Sequence, residues 1–351
     1  MTQPVRISLV PLPPGSNFAR LLKALPHGPE YAAAQFADTP IVAHALNARI
    51  TRTNKAAVAG MTTTNQSDLA DLGIIDSSLS LMLGGESAPQ ACFSRMQERP
   101  FAIQIPRQTD AGVGGGRLDE GAPVPVVKGG LFDTMEIPQS RVGSIFCVTQ
   151  DVLRRKGNEA VLRNAALAAQ GRVETRLFLD PSVAAAGLGA ASITHGQTEI
   201  PWDGDAAHTL GLMLSSIQTQ GTRLVWIGRP IDFAILAARL GGAASLPATM
   251  LGLPAIAAPN APAGLIVLAD LGEIAFAAST LEVDISEQAS IQMTDTPTNS
   301  PAAGSPEAPV ATTLVSLFQT NSVGYLIWRF LNWEVIRSGA VAYSIISGSP
   351  A

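Results

Sequence analysis

Cysteine is nearly absent from this chain: two in 351 residues, Cys92 and Cys147, each alone in sequence. That excludes a disulfide framework and a zinc knuckle, and both thiols are read as small core hydrophobes in a protein that tolerates a reducing compartment. Positive charge is also scarce, with 23 Lys and Arg against 28 Asp and Glu and a net charge of -5. Such a balance argues against a protein whose affinity comes from gripping phosphates with a basic surface, and so against a DNA-binding enzyme. Long unbroken apolar runs are missing too. The stretch 250–269 is interrupted by Pro254, Pro259, Asn260 and Pro262, which a membrane helix could not carry with its backbone groups satisfied. Pro11, Pro13 and Pro14 likewise cut the first apolar patch short of a signal-peptide core. The expectation is a soluble protein that is neither exported nor membrane-bound.

Catalytic signatures are lacking as well. The run Gly112-Val113-Gly114-Gly115-Gly116 invites a phosphate-loop reading, but Arg117 stands where a dinucleotide fingerprint needs Gly, and no Gly-Lys-Ser/Thr follows. Ser and His are present, but no Gly-x-Ser-x-Gly elbow is found. The densest set of potential metal ligands is His195, Glu199, Asp203, Asp205 and His208, two imidazoles and three carboxylates that could in principle hold a divalent ion. Pro201 and Gly204 make that stretch a turn-rich loop, where Asp is expected to bond its own backbone. The chain is therefore read as a non-enzyme with no catalytic, cofactor-binding or metal-binding residues and no cofactor.

What is present is length enough for a substantial core and an uneven distribution of order. Residues 1–61 hold two helix-prone, alanine-rich runs, 17–25 and 30–37, separated by Pro26 and Pro29; they look like a scaffold-like helical appendage and not a core. Residues 62–105 open with a polar run suited to an extended arm. Between 106 and 141 the sequence is rich in Gly and Pro and has almost no helical period, so it reads as a long two-stranded excursion. Within 142–204, residues 143–149 predict a buried strand and 158–179 a helix about 33 Å long, stopped by Pro181. Leu162, Ala166, Ala169, Val173 and Leu177 should form its buried face. Residues 205–295 alternate helix and strand as a compact mixed domain, and 296–351 close the chain with strands at 314–336 and 340–346 after a Pro/Ser/Thr-rich loop.

Residues 118–157, LDEGAPVPVVKGGLFDTMEIPQSRVGSIFCVTQDVLRRKG, resemble the extended loop, strand and spine-helix start of Hong Kong 97-like major capsid proteins of tailed bacteriophages and prophages. Residues 313–345 are similar to that family's closing peripheral strands, and LVWIGRPIDFAILAARL with LGLPAIAAPNAPAG to its axial domain. The resemblance spans about 62–348 and implies an α+β fold with an axial domain at 205–295, a peripheral domain with a long spine helix, an extended hairpin loop and an N-terminal arm. It implies a subunit that self-assembles into pentamers and hexamers of an icosahedral shell around double-stranded DNA, held without sequence-specific binding. Such a protein resides in the virion, is assembled in the host cytoplasm, and has portal, scaffold or protease, and decoration proteins as possible partners. An encapsulin-like nanocompartment shell is the alternative, and a phage maturation hydrolase a third reading of a different class. The acidic balance suits a shell through which DNA must slide as it is driven inward.

Subunit contacts are expected from the extended loop and the spine: Glu120, Val124, Val126, Lys128, Leu131, Phe132, Arg154 and Arg155. Some family members form an isopeptide bond between a loop Lys and a peripheral Asn, helped by a Glu a few residues on. Lys128 and Asn321 fall at the first two positions, but Trp328 stands where the Glu would be, and indole cannot take the proton the amine must lose. No cross-link is expected. Trp328 and Trp333 are read as packing residues, in the core or between subunits.

Overall fold

The structure, a computed structural model, describes residues 16–53, 82–108, 132–154, 159–241 apart from 220 and 222, 249–293, and 313–346 apart from 338. In chain order its helices are α1 (Ser16–Ala24), α2 (Pro29–Gln35), α3 (Pro40–Thr53), α4 (Ala88–Cys92), α5 (Gln150–Arg154), α6 (Glu159–Leu179), α7 (Ala206–Ser216) and α8 (Pro230–Arg239). Its strands are β1 (Gln97–Glu98), β2 (Ile105–Gln108), β3 (Phe132–Met135), β4 (Arg141–Thr149), β5 (Leu224–Gly228), β6 (Thr249–Met250), β7 (Leu253–Ala257), β8 (Leu265–Asp270), β9 (Ile274–Ala278), β10 (Glu282–Ser286), β11 (Ser290–Met293), β12 (Thr313–Ser316), β13 (Ser322–Val335) and β14 (Val341–Ile345). They form two compact units, each of three chain segments: Met1–Gly84, Gly143–Gly171 and Thr280–Arg329 in the first, Gly85–Val142, Arg172–Ser279 and Phe330–Ala351 in the second. The architecture is mixed α and β. No described helix is long and apolar enough to cross a membrane.

In the first unit, β13 runs between β4 and β10, antiparallel to β10 with Trp328 opposite Glu282 and Leu326 opposite Asp284. The strand period of two turns Val323, Tyr325 and Ile327 to one face. There they join Val283, Phe146 and Val148, together with Leu162, Ala166 and Leu167 from α6 and the apolar sides of α1, α2 and α3. Phe18, Leu21 and Leu22 lie at helical spacing on one side of α1 and are 1, 5 and 0% exposed. The Tyr325 ring stacks on Phe146 at 5.0 Å, and its hydroxyl donates to the Leu22 carbonyl at 3.0 Å, so burial pushes its phenol well above the usual range. The first segment is thus no mere appendage: its helices, including α3, for which the sequence reading has no counterpart, supply nearly half of this core. Amphipathic helices of seven to fourteen residues are marginal alone and hold because their apolar faces are covered.

The second unit is built on a mixed sheet in the order β14, β8, β5, β7, β6. β5 is parallel to β7 and antiparallel to β8, and β14 is antiparallel to β8. Both faces of this sheet are covered, which is why all of β8 is buried. Trp226, Ile266 and Leu268 meet Leu210, Met213, Phe233 and Leu236 of α7 and α8 on one side. On the other side, Val225, Ile227, Val267 and Tyr343 meet Phe178, Leu179 and Ile193. The wholly buried Asp232 accepts from Arg229 Nε and Nη2, at 2.9 and 3.2 Å, and from the Gly264 amide at 3.2 Å. A short hairpin of β2 and β3, pairing Gln108 with Phe132, forms the base of the expected excursion; residues 109–131 lie outside the described residues.

Three local expectations need correction. The strand β4 is present but not buried throughout: burial alternates, and Ile145 is 57% exposed. Cys92 is a core residue whose thiol burial raises to about 12, whereas Cys147 is only partly buried and belongs to none of the apolar clusters. On α6, Leu162 and Ala166 are buried as expected, but Ala169, Val173 and Leu177 are only half-buried. Gln170, Glu174 and Thr175 take the interior positions instead, at 1% exposure or less. Each is satisfied: Ser144 Oγ donates to Gln170 at 3.0 Å, Ser87 Oγ to Glu174 at 2.5 Å, and the Ala88 amide to Thr175 Oγ1 at 2.9 Å. A buried polar group is tolerated where its partner is provided, which a hydrophobic pattern does not register.

Candidate assembly surfaces

Two parts of the surface stand out in the first unit. The turn from β12 to β13 is tightly bonded: the Ser322 amide donates to the Leu317 carbonyl at 2.9 Å and the Thr320 amide to Ser316 at 3.2 Å. Asn321 adopts the left-handed region at φ 48, a conformation Asn takes more readily than most side chains. Leu317 is buried beneath this turn and Phe318 projects from it, 78% exposed. The Asn321 carbonyl accepts from the Gln150 amide at 2.9 Å, which ties the turn to the start of α5.

The second is the face of the β4–β13–β10 layer that points away from the helices. It carries Ile145, Leu326 and Trp328, none of which belongs to an apolar cluster among the described residues. The Trp328 indole donates to Asp284 at 2.9 Å. Gly143 is required beside it, because a Cβ there would sit 2.9 Å from Trp328 Cβ and 3.0 Å from the Ile327 carbonyl oxygen. Glu282 and Asp284 are exposed along the edge of this face.

Of the residues expected to make subunit contacts, Glu120, Val124, Val126, Lys128, Leu131 and Arg155 lie outside the described residues. Phe132 opens β3. Arg154 is exposed at the end of α5 and donates to Gln150 Oε1 at 3.3 Å. Trp333 is a core residue, set edge-on to Phe178 at 5.0 Å with its indole donating to the Ala191 carbonyl at 2.8 Å. The sequence reading missed Ile145, Leu326 and Phe318. The alternation of residues 143–149 carried a signal for Ile145, but Phe318 in a turn carried none.

The candidate metal ligands disperse into local roles. His195 Nδ1 lies 2.9 Å from the Pro181 carbonyl. Asp205 caps α7 through the Ala207 and His208 amides at 2.9 and 3.3 Å. Asp203 pairs with His208 and accepts from Thr209 Oγ1 at 2.9 Å. The His208 imidazole, and then Thr209, hold the Asp203 carboxyl down at about 2, while Asp203 raises the imidazole in turn. Among the described residues, no three His, Cys, Asp or Glu side chains are placed to share an ion.

No family profile matches this chain. In sequence it is similar to the capsid polyprotein of Pseudomonas phage PAJU2, 29% identical over 320 residues that make up 82% of this chain and 47% of the relative. The chain thus spans about half the length of the curated relative it matches. Among solved structures it is similar to a chain of Gordonia phage Cozz, at 12% identity and a TM-score of 0.46, covering 74% of this chain and 86% of the other. A chain of Mycobacterium phage Adephagia is similar at 14% identity and a TM-score of 0.46, with 76% and 92% covered.

Proposed function

We propose that this chain is a major capsid protein of the Hong Kong 97-like kind, a subunit that assembles with copies of itself into the pentamers and hexamers of a phage shell around double-stranded DNA. The observation that carries the reading is the similarity to a phage capsid polyprotein across four-fifths of the chain. The chemistry is compatible with it. Three carboxylates of the second unit serve local bonding: Asp232 holds a loop, Asp205 caps a helix, and Glu174 is joined to Ser87. On this reading the chain is a building block of the shell.

In this reading the layered sheet of β5, β7 and β8 with α7 and α8 is the axial domain near 205–295, and α6 is the spine helix of the peripheral domain. Residues 106–141, with Glu120, Val124, Val126, Lys128, Leu131 and Phe132, reach a neighbouring copy, and Arg154 and Arg155 meet it from the spine. The protein acts in the virion after assembly in the host cytoplasm, with portal, scaffold or protease, and decoration proteins as further partners. It encloses DNA without reading its sequence, in keeping with the net charge of -5. Light scattering coupled to gel filtration tests this: the purified chain should elute as capsomers or shells, at five or more times its own mass of 36.4 kDa. A monodisperse single subunit at all concentrations would overturn the reading.

A further inference from the structure

We infer that residues 195–205 form a strap over the outer edge of β14, held shut by a proton on His208. Edge strands offer unpaired amides and carbonyls to other chains, and folded proteins cover them. β14 is the last strand of its sheet, and its inner side is taken by β8. On its outer side the Ile200 amide donates to the Tyr343 carbonyl at 2.8 Å, with Glu199 bridging Tyr343 in parallel. A bridge of this kind is a weak hold, so the ends of the strap decide whether it stays. At the first end, Thr194 Oγ1 donates to the Leu179 carbonyl at 2.7 Å, and His195 Nδ1 lies 2.9 Å from the Pro181 carbonyl, which requires a hydrogen on that nitrogen. At the second end, the Arg239 guanidinium lies 4.9 Å over the Trp202 ring. Beside it Asp203 accepts from Thr209 Oγ1 at 2.9 Å and pairs with the His208 imidazole.

The charge at this second end depends on pH. His208 stands in the first turn of α7 with Asp203 and Asp205 beside it. The other ionisable groups on the elements around it are Glu199 on the strap, Tyr343 on β14 and Arg239 on α8. The hydrogen bond to Asp203, then the charges of Asp203 and Asp205, raise the imidazole above its ordinary value. In return His208, and then Thr209, hold the Asp203 carboxyl at about 2. The catch is therefore complete between the usual carboxylate range and the ordinary imidazole value of 6.5. As pH rises through the raised value the cation is lost, the ion pair becomes a neutral hydrogen bond, and Glu199, Asp203 and Asp205 repel one another with one counter-charge fewer. On the acid side the pair persists until Asp203 itself takes a proton. Both side chains reach solvent, so screening limits the change to a shift of up to about fivefold in how often the strap opens. The device belongs to the fold and holds whether or not the chain builds a shell.

The test is amide hydrogen exchange of the full chain, read by mass spectrometry on peptides covering 196–203 from about pH 6 to about pH 9, each rate divided by its intrinsic chemical rate. Protection should fall by up to about fivefold. Its midpoint should equal the titration midpoint of His208, followed in the same samples through the slow exchange of the imidazole C2 hydrogen. Peptides from β8 should stay level, which separates opening of the strap from unfolding of the sheet. In His208→Gln the protection should sit at its high-pH level and not vary, and in Asp203→Asn the His208 midpoint should fall back toward 6.5. His195 remains in both variants, so a pH dependence that survives His208→Gln would place the switch at the other end and overturn the inference. Wild-type protection that stays flat over this range, or that changes with a midpoint other than that of His208, would overturn it too, and that comparison needs no variant to fold.

Discussion

A chain lacking residues 1–53 is expected to lose the cooperative unfolding transition of its first unit and to aggregate. Ten of the twenty buried residues of that core come from residues 16–53. Six are large: Phe18, Leu21, Leu22, Phe36, Val42 and Leu46. Burial of side chains this size contributes roughly 1.5–3 kcal/mol each, so together they rival the ~5–15 kcal/mol of net stability typical of a domain. Removing them also bares Val323 and Tyr325, and strips the Tyr325 hydroxyl of the carbonyl it bonds. Circular dichroism through a thermal ramp reads the loss. Milder changes should scale: Phe18→Ala should cost about 3–5 kcal/mol and Leu22→Ala about 2–5. A truncated protein that stays soluble and melts at the temperature of the full chain would show that these helices are an independent appendage after all.

Replacing residues 112–130 with a short Gly-Ser turn is expected to do the opposite, leaving the fold intact and abolishing particles. The hairpin base of β2 and β3 is retained, with its pairing from Ile105 opposite Met135 to Gln108 opposite Phe132. The removed residues are rich in Gly and Pro, and their apolar side chains, Val124, Val126 and Val127 among them, are few. On the shell reading proposed above, their worth lies in contacts repeated at every position of a lattice, where each buried side chain adds roughly 1.5–3 kcal/mol. Circular dichroism and the main melting transition should match the parent, and sedimentation should show no species larger than a capsomer. Closed shells from the shortened chain, or a chain that cannot fold, would refute the assignment of this segment as an inter-subunit arm.

Much of the fold was legible because local rules agreed with the tertiary ones. Pro230 at the first turn of α8, the strand at 265–269 and the stretch that became β14 stand within a residue or two of where the sequence puts them, whereas the β-rich stretch 314–336 is divided by a turn into β12 and β13. What stayed hidden depends on partners distant in sequence. The interior face of α6 includes Gln170 and Glu174 because Ser144 and Ser87 are brought to them, and a hydrophobic pattern assigns such side chains to solvent. The strand β7 was missed because Pro254 and the alanines of 253–257 carry little strand propensity; pairing with Trp226 and Ile227 of β5 makes it a strand. The first segment reads as an appendage in sequence because its covering layer, β10 and β13, lies more than two hundred residues away. The candidate contact surfaces were legible only in part: the loop announced itself by composition, whereas the open face of the strand layer needed the register of β4, β13 and β10.

The most direct test of the central claim is cryo-electron microscopy of the assembled protein. The account predicts closed icosahedral particles tiled by five- and six-membered rings, in which the α6 helix and the β5–β8 layer of each subunit can be fitted as described above. Particles of any other symmetry, or an absence of closed particles under every assembly condition, would contradict it.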